Sequence, residues 1–150
     1  MKTRIQARAV TLSPDKQSML LVRNRDAAFW YAPGGGLEEN EDIKQCAVRE
    51  MLEETGLRIT LKQLLYVQEL HDKKDNRATI ELFWLAELAH SQTLDEHHTD
   101  IDPEGDVAEA RWFTRGQLQN ITVYPAQLKD SFWSQLDHPP GEDLFLGVFD

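Results

Sequence analysis

The chain has 150 residues, of which 41% are hydrophobic and 28% charged, a composition that fits a single soluble globular domain over residues 1–150. Its formal net charge of -10 disfavours nucleic-acid polymers and anionic membranes as partners, because like charges repel. No apolar run is long enough for a transmembrane helix, and a single cysteine excludes a disulfide framework within the chain, so we expect a cytoplasmic protein.

The hydrophobic pattern predicts strands on both sides of one central helix. In chain order we predict strands over residues 4–12 and 19–23, a helix over 42–55, strands over 58–71, 78–88 and 107–113, and helical stretches over 115–120 and 125–136. Residues 33–36 (Pro-Gly-Gly-Gly) are expected to form a loop, and the acidic residues 94–106 an exposed loop. This order predicts an α+β fold, an α/β/α sandwich with a mixed β-sheet.

The central helix presents three glutamates on one face. Glu50, Glu53 and Glu54 stand at positions i, i+3 and i+4, so their carboxylates are neighbours on the helix surface. Their repulsion opposes helix formation by roughly 0.2–0.5 kcal/mol per pair, a penalty that a bound divalent cation reverses. Oxygen ligands in this number suit Mg²⁺, with Mn²⁺ as the alternative. For three helical glutamates alone, a solvated acidic surface is the commoner explanation.

The residues that flank these glutamates complete a longer pattern. Gly35 is followed after five residues by Glu41, and after seven more by the run Arg49-Glu50-Met51-Leu52-Glu53-Glu54-Thr55-Gly56-Leu57. Every specified position matches the motif G-x5-E-x7-R-E-U-x-E-E-x-G-U of the Nudix hydrolases of the MutT type, in which U is a bulky aliphatic residue. The chain resembles that family over 23 of its 150 residues, and elsewhere in a compatible order of elements.

The resemblance implies roles for the residues of the motif. Glu50, Glu53 and Glu54, with the backbone carbonyl of Gly34, resemble the ligands of the activating metal ions. Among these residues Glu50 and Glu53, together with Arg49, are expected to be catalytic, while Glu41 and Gly56 resemble structural residues of the motif. Glu50 is the first candidate for the general base, and Glu104, Asp106 and Glu109, in or beside a distant loop, are the alternatives.

Residues outside the glutamate cluster are candidates for substrate binding. Gly35 and Gly36 let the backbone approach phosphate oxygens without a Cβ in the way. Arg23 and Arg25 precede the glycine run and are candidates for a substrate phosphate, although solvated surface residues are equally common. The neighbouring aromatic pair of residues 30–31 is expected to pack in the core rather than to stack on a base.

The activity that the resemblance implies is hydrolysis of a phosphoanhydride bond in a nucleoside diphosphate linked to another moiety, or in a nucleoside triphosphate. The alternative is a catalytically inactive Nudix-fold module that binds nucleotides or regulates, but such modules usually show a damaged glutamate cluster. The expected partner is a small-molecule nucleotide or other organic pyrophosphate, for a chain that is a monomer or a homodimer. The sequence features that accompany ADP-ribose, diadenosine polyphosphate or coenzyme A substrates in subgroups of the family are absent from this chain.

Overall fold

A curled mixed β-sheet with helices on both faces forms the fold, in a computed structural model that describes residues 1–92, 97–99, 105–136 and 145–149. The strands in these residues are β1 (Lys2–Leu12), β2 (Ser18–Asn24), β3 (Phe29–Tyr31), β4 (Gly34–Gly36), β5 (Ile59–Asp72), β6 (Arg77–Leu88), β7 (His97–Thr99), β8 (Val107–Thr114), β9 (Thr122–Tyr124) and β10 (Phe145–Phe149). The helices are α1 (Ile43–Thr55), α2 (Arg115–Leu118) and α3 (Ser131–Gln135), with a 3₁₀ turn over Ala126–Leu128.

The sheet combines parallel and antiparallel pairs around β1. Strands follow one another in the order β10-β5-β6-β1-β2-β3-β9, with β4 also on β1, and with β8 between β2 and β7. The long β1–β6 pair is parallel, from Lys2 opposite Arg77 to Leu12 opposite Glu87. The β3–β9 and β10–β5 pairs are parallel too, whereas β5–β6 and β2–β8 are antiparallel. The predicted mixed sheet is therefore confirmed.

Strand β1 lies between two hydrophobic layers because its side chains alternate between the faces of the sheet. On one face, Ala7 packs with Cys46 and Ala47 of α1, and Ala9 belongs to the cluster that contains Met51. On the opposite face, the other end of β1 packs in a core that the C-terminal helices share; its members include Val10, Leu12, Leu118, Leu128, Phe132 and Trp133. This arrangement of helix, sheet and helices is the predicted α/β/α sandwich.

Helix α1 begins and ends at residues whose chemistry fits those positions. The Asp42 carboxylate accepts from the Gln45 backbone N–H at 2.8 Å, and the Gln45 side chain accepts from the Asp42 N–H at 2.9 Å. Gly56 ends the helix with φ 77°, a left-handed conformation that glycine adopts without strain. Asn40, in the turn before the helix, is left-handed as well, with φ 64°. The predicted helix bounds are confirmed within one residue.

The prediction of a loop over the glycine run was wrong. Gly34–Gly36 is strand β4, antiparallel to β1, with Gly35 opposite Ala7. The pairing continues on both sides, since Ala9 donates to the Pro33 carbonyl at 2.9 Å and Leu37 donates to the Ile5 carbonyl at 3.0 Å. A Cβ at Gly34 would lie 2.3 Å from the Ala7 carbonyl oxygen. Glycine is therefore what allows this strand to form, because a side chain there would collide with β1.

The C-terminal third differs from the prediction in its details. The helical stretches expected over 115–120 and 125–136 are shorter, and residues 122–124 and 145–149, for which no element was predicted, are strands. These short strands pair in parallel with β3 and β5, partners far away in sequence that no local pattern reveals. Within the predicted acidic loop, residues 97–99 pair with β8, and residues 94–96 and 100–104 lie outside the described residues.

The helices of the described ranges include none that is both long enough and apolar enough to cross a membrane.

Replacing Gly34 by alanine should destabilise the protein far more than replacing Gly36. At position 34 the new Cβ meets fixed backbone, whereas at position 36 it would lie 2.7 Å from the end of the flexible Arg4 side chain. We expect Gly34→Ala to lower the free energy of unfolding by about 2 kcal/mol and Gly36→Ala by less than about 0.5 kcal/mol. Urea denaturation measures both, with Gly116→Ala as a control because a Cβ there meets nothing within 4 Å. Equal losses at positions 34 and 36 would contradict the pairing of β4.

Candidate active site

A cavity of about 600 Å³ opens where β4 lies between β1 and α1. Its lining brings together Glu50 and Glu54 from α1, the three glycines of β4, and Arg4 and Arg8 from β1. The cavity thus combines carboxylates, exposed backbone and cations in one place. Of the sequence-predicted site residues, those of the glycine run, two of the three helical glutamates and Asp106 meet here.

The glycines of β4 allow the helix to approach the strand closely. An added Cβ at Gly35 would lie 2.6 Å from the Glu50 carboxyl carbon, so only a residue without a side chain leaves room for Glu50. The buried Glu54 carboxylate accepts from the Gly34 backbone N–H at 3.0 Å. In an antiparallel strand the N–H and C=O of one residue point to the same side. The Gly34 carbonyl is therefore turned away from β1, to the side on which Glu54 lies.

Arg49 joins the loop before α1 to the helix and to the glycine strand. Its guanidinium donates to both carboxylate oxygens of Glu41, at 2.8 and 2.9 Å, and to the Gly36 carbonyl at 3.1 Å. It also donates to Glu50 and to Glu53, both at 3.1 Å. The hydrogen bonds from Arg49 lower the pKa of Glu41 to about 2. A single cation thus neutralises part of the charge of three carboxylates while it fixes the turn.

The three helical glutamates differ in where their carboxylates lie. Glu50 and Glu54 line the cavity, whereas the Glu53 side chain is 53% exposed and turns toward Arg49. Within the described ranges, no group of three or more His, Cys, Asp or Glu side chains is already arranged around one point. Burial raises the pKa of Glu50, with Glu53 adding to the effect and Arg49 opposing it. Two carboxylates beside a backbone carbonyl are oxygen donors that fit a divalent cation, whose charge would lower that pKa again.

Arg8 belongs to a buried polar network that the sequence analysis missed. It forms an ion pair with Glu81, and Glu81 also accepts from the Gln68 amide at 2.9 Å. Arg8 donates further to the Ala32 carbonyl at 3.1 Å. Although burial opposes its charge, Glu81 holds the pKa of Arg8 above its ordinary value. The alternation of polar residues at positions 4, 6 and 8 was the available signal, since it indicates one polar strand face.

Arg4 differs from Arg8 because it is exposed and lines the cavity with its charge available. In the part of the chain that the structure describes, the Arg4 side chain forms no hydrogen bond or ion pair. Its guanidinium lies beside Gly36, where an added Cβ would be 2.7 Å from Nη2. A cation in this position can meet an anionic group that enters the cavity.

The expectation that Arg23 and Arg25 bind substrate is not supported, since neither lines the cavity. Arg23 lies opposite Glu109 in the β2–β8 pair and forms an ion pair with it. Its guanidinium also donates to the Ala27 carbonyl at 2.9 Å. Arg25 donates to the carbonyls of Gly105 and Val107, both at 3.4 Å. Both arginines hold the protein's own chain together.

The three loop candidates for a general base fall in different places. Asp106 lines the cavity. Glu109 is on β8 in the ion pair with Arg23 and does not line the cavity. Glu104 lies outside the described residues. The cavity is therefore lined by two candidates for the general base, Glu50 from α1 and Asp106 from the segment that precedes β8.

Aromatic side chains form another part of the cavity lining. Trp30 is buried in the core as expected, but its neighbours Phe29 and Tyr31 line the cavity together with Tyr124. Tyr124 reaches this place because β9 pairs with β3, with Tyr31 opposite Tyr124. Phe29 and Tyr124 could not be identified from the sequence, since the β3–β9 pairing joins residues more than ninety positions apart and has no local signal.

The sequence of the chain matches a known protein family and resembles individual proteins from other organisms. The model of the NUDIX domain family matches residues 2–132. The 8-oxo-dGTP diphosphatase of Proteus vulgaris is 33% identical over 84 residues, which cover 53% of this chain and 74% of that protein. Nucleoside diphosphate-linked moiety X motif 6 of Xenopus laevis is 35% identical over 79 residues, which cover 51% of this chain. This chain spans only 36% of the length of the Xenopus protein.

A solved structure shares the fold over almost the whole chain. The crystal structure of a NUDIX hydrolase from Nitrosomonas europaea has a TM-score of 0.71 and 21% sequence identity, and the match covers 99% of this chain and 80% of that chain. At this identity the likeness shows the common fold. It agrees with the mixed sheet and the helix layers described above.

The Glu41–Arg49 pair should stabilise the protein at neutral pH and lose this effect in acid. Folding lowers the pKa of Glu41 from 4.5 to about 2, so its contribution is complete above pH 4.5 and disappears as the pH falls toward 2. We expect Glu41→Gln to lower the free energy of unfolding by about 1–2 kcal/mol at pH 7, and by about half as much at pH 3. Urea denaturation at the two pH values measures this.

Glu38→Gln is the matched control for that experiment. Glu38 is an exposed carboxylate 3.6 Å from Arg49, and solvent screens such a contact. We expect its replacement to change stability by less than about 0.5 kcal/mol at either pH. A loss in Glu41→Gln that is as large at pH 3 as at pH 7 would show that the ion pair is not its cause.

Proposed function

Because the chain belongs to the Nudix hydrolase family, we propose that it hydrolyses a phosphoanhydride bond in a small organic pyrophosphate, with a divalent metal ion as cofactor. The proposed substrate is a nucleoside diphosphate linked to another moiety, or a nucleoside triphosphate. One observation carries the proposal: the Gly34 backbone lies beside Glu54 in a cavity that Glu50 and Arg4 also line. Oxygen atoms that can bind a metal ion are thus adjacent to an arginine that can bind phosphate.

Glu50 and Glu54, with the Gly34 carbonyl, are the residues that would hold Mg²⁺ or Mn²⁺. Glu53 is the further ligand, and it would exchange its contact with Arg49 for the ion. A bound divalent ion supplies a Lewis acid for phosphate oxygens and lowers the pKa of water. Arg49 keeps Glu41 and the Gly36 carbonyl in place during that exchange, so the turn does not depend on Glu53.

The reaction also needs a group that accepts the proton of the attacking water. Water adds to phosphorus, the bond from phosphorus to the bridging oxygen breaks, and the proton passes to a carboxylate. Glu50 lines the cavity directly beside Gly35, so its carboxylate would lie close to phosphate that borders the glycine strand. Asp106 lines the same cavity from the segment that precedes β8 and is the second candidate. We assign the role of base to Glu50.

Binding of the phosphates falls to the glycine strand and to Arg4. Backbone at Gly35 and Gly36 borders the cavity without a Cβ, so phosphate oxygens can approach it closely. Arg8 is neutralised by Glu81, which leaves Arg4 as the cavity cation without a protein partner in the described ranges. One such cation fits a small anionic substrate, and the net charge of -10 disfavours a polymer with many phosphates.

Turnover should require a divalent cation and the helical glutamates. We expect hydrolysis of nucleoside triphosphates or nucleoside diphosphate sugars in Mg²⁺, and none in excess EDTA. Glu53→Gln and Glu54→Gln should each lower kcat at least about a hundredfold, because each removes oxygen ligands that stabilise transition-state charge through the ion. Phosphate release measures the rates, and circular dichroism verifies that the variants are folded.

The matched control for the glutamate variants is Glu87→Gln. Glu87 is an exposed carboxylate on β6 that pairs with Lys62 at 2.9 Å and does not line the cavity. Its replacement should leave kcat within about twofold. If the wild-type chain bound nucleotides in Mg²⁺ but hydrolysed none of them, the hydrolase proposal would be wrong. The alternative, a catalytically inactive module that binds nucleotides, would then apply.

Arg4→Ala should weaken substrate binding more than it slows the chemical step. We expect KM to rise about tenfold or more, because a charge-assisted hydrogen bond to phosphate is worth roughly 1.5–3 kcal/mol. Arg4→Lys keeps the charge and should recover part of the loss. Lys2→Ala is the control, since Lys2 is an exposed cation on the same strand that does not line the cavity. A KM that is equal in Arg4→Ala and Lys2→Ala would exclude a contact between Arg4 and substrate.

A further inference from the structure

Arg8 places a positive charge close to the carboxylate of Glu54, which we propose binds the metal ion. Arg8 is opposite Gly34 in the β1–β4 pair, and a Cβ at Gly34 would lie 2.5 Å from Cγ of this arginine. The Gly34 N–H in turn donates to Glu54 at 3.0 Å. Both Arg8 and Glu54 line the cavity. Because like charges repel, an unpaired cation at Arg8 would oppose the binding of a divalent ion at Glu54.

Glu81 neutralises this arginine inside the fold. The Arg8 and Glu81 side chains form an ion pair and are 15% and 4% exposed, so water screens their attraction little. One oxygen of Glu81 accepts from Arg8, and the other accepts from the Gln68 amide at 2.9 Å. Burial opposes the charge of Arg8, but Glu81, and to a smaller extent Glu54, hold the pKa of Arg8 above its ordinary value. Arg8 thus interacts with two carboxylates, of which Glu81 is the stronger partner.

Neutral groups fix the position of the Arg8 guanidinium. It donates to the Ala32 carbonyl at 3.1 Å and to the Gln6 side-chain oxygen at 3.0 Å. It also lies over the Tyr31 ring, 5.0 Å from the centroid. Gln6 is opposite Glu81 in the β1–β6 pair, and the side chains of Gln6 and Arg8 share one face of β1. Arg8 is therefore held by several groups, but Glu81 is the one that balances its charge most strongly.

Loss of the Glu81 charge would leave Glu54 as the carboxylate that interacts with Arg8. A largely buried cation without its counter-ion is unfavourable, so the attraction between Arg8 and Glu54 would gain importance. The same arginine would repel a divalent ion that approaches Glu54. Arg8 and the metal ion would then compete for one carboxylate.

We propose that Glu81 is a positioning residue: by neutralising Arg8, it keeps Glu54 available to the metal ion and raises the affinity of the site for that ion. This inference rests on the proposed function, because it takes Glu54 as a ligand of the ion. Since Glu81 acts through Arg8, its replacement changes the affinity for the metal ion rather than the chemical step. An ion pair that served stability alone would not change the metal affinity of the folded protein.

The experiment measures the binding of Mn²⁺ without substrate, by electron paramagnetic resonance of the free ion, and the Mg²⁺ dependence of kcat. We expect Glu81→Gln to raise the Kd of Mn²⁺ about tenfold, because it leaves an unbalanced positive charge beside the site. The Mg²⁺ concentration for half-maximal kcat should rise by the same factor. In saturating Mg²⁺, kcat should stay within about threefold of that of the wild-type chain. Glu81→Asp keeps the charge and should recover most of the affinity for Mn²⁺.

A double variant separates the charge of Glu81 from its other contacts. Arg8→Met removes the cation but keeps a long, unbranched side chain, so Arg8→Met combined with Glu81→Gln lacks both charges of the pair. Its Kd for Mn²⁺ should return to within about threefold of the wild-type value, although the Glu81 carboxylate is absent. If the Kd of the double variant stayed as high as that of Glu81→Gln, Glu81 would not act through Arg8 and the inference would be overturned.

Glu87→Gln is the matched control on the same strand. Glu87 is 55% exposed, pairs with Lys62 at 2.9 Å and does not line the cavity, so its replacement should leave the Kd of Mn²⁺ unchanged. Because removal of one partner destabilises a buried ion pair, circular dichroism at the assay temperature verifies that every variant is folded. A Kd that rose equally in Glu87→Gln and Glu81→Gln would contradict a specific role of Glu81.

The two proposals fail in different ways. Equal Kd values for Mn²⁺ in the wild-type chain and in Glu81→Gln, with Mg²⁺-dependent hydrolysis in both, would overturn the inference and leave the hydrolase intact. The expected order of Kd values, without hydrolysis of any nucleotide, would support the inference and remove the proposed activity. A Kd that Glu54→Gln did not change would remove Glu54 from the metal site and overturn the inference.

Discussion

The close approach of β4 to both β1 and α1 is the constraint on which the cavity depends. A side chain at Gly34 would collide with the β1 backbone, and one at Gly35 would collide with the Glu50 carboxylate. Because glycine has only a hydrogen atom in place of a side chain at both positions, β4 can pair with β1 through the backbone groups that face β1. The alternate groups, which include the Gly34 N–H that binds Glu54, face the helix. Helix α1 can therefore place its carboxylates at the edge of the sheet, close to the arginines that lie on the opposite face. Without this strand, the two charge types would lie on opposite sides of the sheet, because Ala7 faces α1 while Arg4 and Arg8 face away from it.

The second constraint is electrostatic, and Arg49 satisfies it. Glutamates at positions i, i+3 and i+4 repel one another on a helix, and burial adds to the cost for Glu50, as its raised pKa shows. Arg49 is shared among Glu41, Glu50 and Glu53. Glu41 takes two of its hydrogen bonds, so the arginine stays anchored while its contacts to the helical carboxylates can be exchanged. These contacts stabilise the helix without a cation and leave its carboxylates available to the ion that we propose binds there. The same anchor explains why the turn and the helix keep one geometry although their charges are unbalanced.

The sequence predicts the helix and the three glutamates on its surface because that information is local. The capping residues, Gly56 and the spacing of the glutamates all act within a few turns of one helix. Strand β4 could not be predicted, because a run of glycines generally disfavours regular structure. Here glycine is required because β4 pairs closely with β1, a strand about thirty residues earlier in the chain. The position of Arg23 outside the cavity could not be predicted for a related reason. Arg4 and Arg23 are both on strands, and only the pairing of β2 with β8 shows that Arg23 is bound by Glu109. Tyr124 was missed because its place depends on the parallel β3–β9 pair.

The lining of the cavity is therefore supplied by two different kinds of structure. The carboxylates and glycines come from one contiguous segment whose geometry is fixed by helix periodicity and by Arg49. The rings come from β3 and β9, and the polar groups beside them come from the ends of β2 and β8, where side chains can change without disturbing the Glu50–Gly35 contact. A substitution at position 29 or 124 alters what fits the cavity, whereas a substitution at position 35 alters whether the helix can approach at all. The lining of the cavity can therefore change on the surrounding strands while the charged cluster keeps its geometry.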